Sequence, residues 1–156
     1  MKVSREYLPA ILNGLSGIAV LLVSFLIDLR MPLPREVARP LGFLIVAVGM
    51  AVVAWAAVYL RSAFVGEVEP KLNVLVRSGP YRLVRHPVYV GMTAALLGAA
   101  VTLRSGLGMI GTLLLFLPTE IYRARREDKA LARRFGGEWR DYAAQTGFLL
   151  PFIGKG

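Results

Sequence analysis

Long apolar runs alternate with two basic polar stretches, and the runs set the expected elements. Leu41 to Leu60 carries no charged residue over 20 positions, enough for a helix to cross a hydrocarbon layer roughly 30 Å thick. Ten of those residues are Leu, Ile, Val or Phe. At roughly −0.3 to −0.6 kcal/mol each they favour insertion by about 3 to 6 kcal/mol, with no charge opposing them. A soluble surface helix needs a polar face, and this run has none. Leu8 to Ile27 is apolar apart from Asn13 and two serines. Val88 to Leu103 and Gly106 to Tyr122 are shorter and separated only by Arg104 and Ser105. That spacing predicts a tight helical hairpin, with a single re-entrant element as the alternative.

Pro118 removes a backbone donor inside the fourth run, so a kink is expected there. Gly91, Ala95 and Ala99 recur every four residues, a stripe of small side chains that lets another helix approach closely. Beyond the fourth run, Arg123 to Ala132 reads as a continuing helix, and Gly136-Gly137 as its stop. Glu138 to Thr146 reads as a second short helix. Its Trp139 and Tyr142 share one edge and are expected to anchor at the membrane interface. The fold expected is therefore all-α: a polytopic membrane helix bundle of about four spans, the last two a tight hairpin, with a cytoplasmic C-terminal helical cap. No internal repeat or linker divides it, so residues 1–156 form one domain.

Composition agrees with a membrane protein. Hydrophobic residues make up 56% of the chain and mean hydropathy is +0.57, above the usual soluble range. The first run is not a cleavable signal, because Asp28-Leu29-Arg30-Met31-Pro32 offers no small-residue cleavage site. The absence of cysteine excludes disulfides, thiolate metal sites and a cysteine nucleophile. A lone histidine, His86, excludes a multi-histidine metal centre.

The net charge of +9 would suit nucleic acid, but its distribution has a simpler reading. With four spans and the N-terminus inside, Lys2, Arg5, Arg61, Lys71, Arg77, Arg82, Arg85 and every cation from Arg123 onward lie inside. Only Arg30, Arg35, Arg39 and Arg104 fall outside. This is the positive-inside bias of a multi-pass protein with both termini cytoplasmic, so no nucleic-acid partner is expected. The two polar parts, Arg61 to Pro87 and Arg123 to Gly156, then share one face and can build one site.

Gly106-Leu107-Gly108-Met109-Ile110-Gly111 matches the dinucleotide-binding fingerprint, which has meaning only between a strand and a helix. Here it opens an apolar run, so helix packing is the better account. The informative segment is Ser78 to Gly91. Gly79-Pro80 marks a turn, and Pro87 biases His86 toward extended backbone. Two tyrosines, two arginines and the only histidine are thereby gathered just before the third span. Alone, such a loop reads as interfacial anchoring.

The segment Gly79-Pro80-Tyr81-x-x-x-Arg85-His86-Pro87-x-Tyr89-x-Gly91 resembles the signature of the isoprenylcysteine carboxyl methyltransferases and the related phospholipid methyltransferases. A second block resembles the same family in order and spacing: Arg123-x-x-x-Glu127-Asp128-x-x-Leu131, Phe135-Gly136, Trp139, Tyr142 and Leu150-Pro151-Phe152-Ile153. The likeness covers roughly Asn73 to Ile153. It implies an S-adenosylmethionine-dependent enzyme with two N-terminal spans in 1–60 and the catalytic part in 61–156. Cofactor contacts are implied for Asn73, Val74, Leu75, Val76, Tyr81, His86, Pro87, Val88, Tyr89 and Glu127, and a substrate contact for Arg123. Asn73 stands where animal and fungal members tend to have His, Asp128 replaces a usual Glu, and Trp139 a usual Tyr.

Methyl transfer from a sulfonium is an in-line displacement, so positioning dominates. Arg123 would orient a carboxylate acceptor, and Glu127, one turn on, would accept from cofactor hydroxyl or amino groups. Without the resemblance, Arg123 and Glu127 read as an ordinary i, i+4 ion pair. The acceptor expected is lipophilic and reached from the prokaryotic cell membrane: an isoprenylated cysteine carboxylate, a phospholipid amine, or a small thiol or other hydrophobic acceptor. Two other classes compete. One is a nicotinamide-dependent membrane reductase, since sterol reductases share an Arg-His-Pro-x-Tyr-like segment. The other is a membrane protein without catalysis.

Overall fold

The computed structural model describes the backbone over residues 3–27, 29–62 and 74–155, and side chains over 8–27, 29–60 and 74–155. The helices are α1 (Val3–Leu26), α2 (Arg35–Ser62), α3 (Pro87–Leu103), α4 (Gly106–Gly111), α5 (Leu117–Phe135) and α6 (Gly137–Gln145). Among the described residues there is no sheet, only two isolated bridges, Arg30 to Ser105 and Val84 to Gly147.

Two helical stretches are long and apolar enough to cross a bilayer, Leu8–Leu26 and Arg35–Leu60, while α3 has 17 residues. Only 22% and 17% of their most apolar windows is buried in the bundle. A core helix of a soluble protein would be mostly enclosed. Here Phe43, Leu44 and Val58 stand 64%, 61% and 65% exposed. Apolar surface on this scale needs lipid as its solvent.

The hairpin forms where its spacing predicts. Arg104 ends α3 in the left-handed conformation, φ 56°, and Ser105 caps α4 by accepting the Gly108 N–H. From Gly106 to Phe135 the chain is one continuous rod. Pro118 does not break it, because a π-helical turn over Thr112–Phe116 precedes the proline and the Leu117 N–H reaches back to the Thr112 carbonyl. One surplus residue in that turn absorbs the mismatch around the missing donor.

Small residues set the α2–α3 crossing. A Cβ on Gly49 would lie 2.6 Å from the Gly91 carbonyl oxygen, and one on Gly91 2.5 Å from that of Gly49. Gly42 and Gly98 meet in the same way, at 2.6 and 2.8 Å. Gly91 and Ala95 of the expected stripe meet Gly49, and Gly98 and Thr102 carry the seam onward to Gly42. A sevenfold repeat, 91 to 98 facing 42 to 49, keeps two antiparallel helices in register better than strict steps of four. Replacing Gly49 by Leu should therefore lower stability by at least about 1–3 kcal/mol, because backbone cannot move aside as a flexible side chain can. An unchanged melting temperature in detergent would refute the seam.

Polar residues within the runs also find partners. Asn13 and Ser16 of α1 are 2% and 6% exposed, and the Ser16 hydroxyl lies 3.0 Å from that of Thr119. Gly108 and Gly111 of the fingerprint-like run pack on α1, where a Cβ on Gly108 would lie 2.1 Å from Ser24 Oγ. The bundle thus has two ends. One carries the α1–α2 link and the hairpin tip, and the other the His86 loop, the second half of α5, and α6.

Candidate active site

The loop is built by its glycine and prolines. Gly79 adopts φ +59°, and a Cβ there would lie 2.6 Å from the Tyr59 ring, so glycine alone fits. A single 3-10 turn, Gly79–Arg82, follows. The chain then enters α3 through His86, with Pro87 in the first turn, where its missing donor costs nothing. His86 is 6% exposed and Tyr89 5%. Their rings stack, with centroids 5.5 Å apart at 14°.

Opposite stands α5, with Arg123 and Glu127 one turn apart and Asp128 beside them. His86 Nε2 donates to Asp128 Oδ1 at 2.7 Å, since a carboxylate only accepts. His86 Nδ1 lies 3.7 Å from Glu127 Oε2. The Tyr89 hydroxyl donates to Glu127 Oε1, which also lies 3.3 Å from Arg123 Nε. The Arg123 guanidinium sits 5.4 Å above the Tyr89 ring. The i, i+4 ion pair is therefore present, and it faces the loop rather than solvent alone.

Arg85 fastens the cap to the loop. Its side chain is 6% exposed, with Nε 3.3 Å from Asp128 Oδ2. Its terminal nitrogens donate to the carbonyls of Ala143 at 2.9 Å, Thr146 at 3.1 Å and Gly154 at 2.8 Å. The guanidinium also lies within 5.8 Å of the Trp139 ring and 5.6 Å of the Phe148 ring. The backbone adds a bond from the Arg85 N–H to the Gly147 carbonyl, 2.8 Å. Trp139 and Tyr142, 5% and 7% exposed, form the core of the cap with Leu75, Leu131 and Phe135. The expectation of interfacial anchoring is corrected: these aromatics face inward. Burial raises the Tyr142 phenol well above its usual range, so it stays protonated and donates to the Tyr81 carbonyl at 2.7 Å. Burial, and after it the negative charge of Glu127, raises the Tyr81 phenol as well.

Between loop and rod lies a pocket of about 410 Å³ lined by Leu60, Tyr81, Arg85, His86, Pro87, Val88, Tyr89, Arg123, Glu127, Ala130 and Leu131. Seven of the predicted site residues meet there: Tyr81, His86, Pro87, Val88, Tyr89, Arg123 and Glu127. Val74, Leu75 and Val76 do not line it; Val74 is 67% exposed and Leu75 packs on the cap. Asn73 lies outside the described residues.

The roles of two residues escaped the sequence reading. Arg85 stood within the signature-like segment, but its task of fastening the cap was not read from it. Glu120 is fully buried, with neither carboxyl oxygen hydrogen-bonded. It lies one turn before Arg123, on the face that carries Arg123 and Glu127. Its signal was available, since it is the single acidic residue within the run Gly106 to Tyr122.

An all-α bundle sheathed in exposed apolar side chains, with a mixed-charge pocket at the mouth of its helices, defines an integral membrane protein. The chain belongs to the phospholipid methyltransferase family, whose model matches residues 37–138. It is 35% identical over 113 residues to the cobalt-zinc-cadmium resistance protein CzcN of Cupriavidus metallidurans, covering 71% of this chain and 48% of that one. In fold it is similar to the eukaryotic intramembrane Ras methyltransferase ICMT (isoprenylcysteine carboxyl methyltransferase). The TM-score is 0.61 at 24% identity, covering 97% of this chain and 54% of that one. The chain thus spans about half the length of each.

Proposed function

We propose that this protein is a multi-pass membrane methyltransferase that moves a methyl group from S-adenosylmethionine to a lipid-like, membrane-dissolved acceptor. Four crossings, with the pocket, cap and both termini on the cytoplasmic side, complete the reading. The observation that carries it is the hydrogen bond between His86 and Asp128, 2.7 Å across 42 positions of sequence. That contact closes the two family-like blocks around one pocket.

The pocket fits the cofactor in size and chemistry. Its volume of about 410 Å³ lies within the roughly 300–1,000 Å³ of small-molecule sites. Leu60, Val88, Ala130 and Leu131 offer an apolar wall for a purine. Glu127, its side chain 44% exposed, offers a carboxylate to hydroxyl or amino groups. S-adenosylmethionine supplies an electrophilic methyl when bound. The chain's own residues do the positioning. Tyr89 holds the Glu127 carboxylate, Asp128 fixes the His86 ring, and the Tyr89 face steadies the Arg123 guanidinium. Arg123, one-third exposed, is placed to hold the acceptor's polar end. A carboxylate acceptor needs no base, whereas an amine acceptor would pass its proton to Glu127 or His86.

Isothermal titration calorimetry on detergent-solubilised protein tests the assignment. Saturable binding of S-adenosylmethionine without binding of NADPH is the expected result. The reverse preference would replace methyl transfer with hydride chemistry. Lateral entry of the acceptor adds a second expectation: lipidated acceptors should react much faster than their soluble, unlipidated analogues. Equal rates would remove the membrane route.

A further inference from the structure

The cations that the positive-inside pattern leaves on the far side are not scattered. Arg30, Arg35, Arg39 and Arg104 come from three separate stretches of sequence and line one cavity of about 410 Å³. It sits at the opposite end of the bundle from the His86 pocket. The 17 residues of α3 separate the two by roughly 25 Å at 1.5 Å per residue.

The cavity floor is built rather than incidental. The Met31 N–H donates to the Arg104 carbonyl at 2.7 Å, and the Gly106 N–H to that of Leu29 at 2.8 Å. Arg104 itself donates a terminal N–H to the Met31 carbonyl at 3.2 Å. These bonds staple the α1–α2 link to the hairpin tip. Arg104 Nε is buried with no acceptor, an uncommon condition for a charged donor. Among the described residues, no carboxylate lies within ion-pair distance of Arg35, Arg39 or Arg104. Bringing Arg35, Arg39 and Arg104 together with no carboxylate at ion-pair distance is unfavourable unless an anion joins them.

We infer that this cavity binds the phosphate of an anionic phospholipid headgroup in the leaflet opposite the catalytic pocket. Guanidinium forks match phosphate oxygens through paired hydrogen bonds, and a headgroup that carries its own cation, such as choline, is repelled by the same arginines. The choice of a lipid over a free phosphate rests on the apron beside the cavity. Phe25, Leu26, Ile27 and Leu29 are 72%, 78%, 50% and 51% exposed. They form an apolar strip along which acyl chains can lie while the phosphate reaches the arginines.

The test uses the purified, delipidated full chain with three additives: phosphatidylglycerol, phosphatidylcholine of the same acyl chains, and inorganic phosphate. Phosphatidylglycerol should raise the melting temperature and survive as a bound adduct in native mass spectrometry, and the other two should not. Arg35 and Arg39 are exposed, so R35A/R39A should fold. It should bind phosphatidylglycerol roughly 30-fold more weakly, the effect of losing two interfacial cations. R35K/R39K should recover part of the affinity, and unchanged S-adenosylmethionine binding in both variants reports an intact fold. Should the double alanine variant fail that check, R39A alone is measured instead. Equal phosphatidylglycerol binding by the alanine variant would overturn the site. Inorganic phosphate reproducing the whole shift would overturn the lipid assignment.

Discussion

Replacing Arg85 by Ala should destabilise the protein by about 3–5 kcal/mol, the cost of breaking one side of a buried ion pair. The loss is large because several groups are abandoned together. Asp128 keeps its charge in a site where its side chain is only 19% exposed, and the carbonyls of Ala143, Thr146 and Gly154 lose their donor. The aromatic faces of Trp139 and Phe148 lose the cation between them. Arg85→Lys should recover only part of this, since one ammonium cannot span three carbonyls and a carboxylate as a planar fork does. Chemical denaturation in mild detergent, followed by Trp fluorescence, would measure both variants. A shift under about 1 kcal/mol for the alanine variant would mean that the cap is held by its apolar core alone.

Glu127→Ala should weaken S-adenosylmethionine binding by roughly ten- to a hundredfold, corresponding to about 1.5–3 kcal/mol for hydrogen bonds to a charged group. The melting temperature without ligand should fall modestly, because the side chain is 44% exposed and loses an Arg123 ion pair of a few tenths of a kcal/mol together with the bond from the Tyr89 hydroxyl. Glu127→Gln keeps one acceptor oxygen and should fall between the two. Separating affinity from stability is the point of the pair. A structural role alone would lower the melting temperature and leave the affinity intact, which is the outcome that would exclude Glu127 from the cofactor pocket.

Much of this architecture is legible in the chain before any coordinates. The apolar runs place the helices, Arg104-Ser105 places the hairpin tip, and Gly136-Gly137 places the end of α5. Hydrophobic length and glycine conformations are local quantities, so local reading finds them. Pairing across long separations is not local. Nothing near Arg85 reveals that its acceptors lie about 60 residues away, and an aromatic pair such as Trp139 and Tyr142 has the same spacing at an interface as in a core. The pocket residues Tyr81, His86, Tyr89, Arg123 and Glu127 were singled out through their resemblance to a family pattern, whereas Val74 to Val76, taken from the same pattern, are not among the residues that line the pocket. At Pro118 the missing donor was legible, and the π turn that accommodates it at Thr112–Phe116 was not.

That π turn has a consequence for how the helix's two faces are phased. Each residue of a regular helix advances the side chains by about 100°, so one surplus residue at Thr112–Phe116 resets the azimuth of everything after it. Before it, Gly108 and Gly111 are aimed at α1. After it, Arg123 and Glu127 are aimed at Tyr89 and His86. The helix therefore behaves as two rulers joined with an offset, one graduated for packing on α1 and the other for the His86 loop.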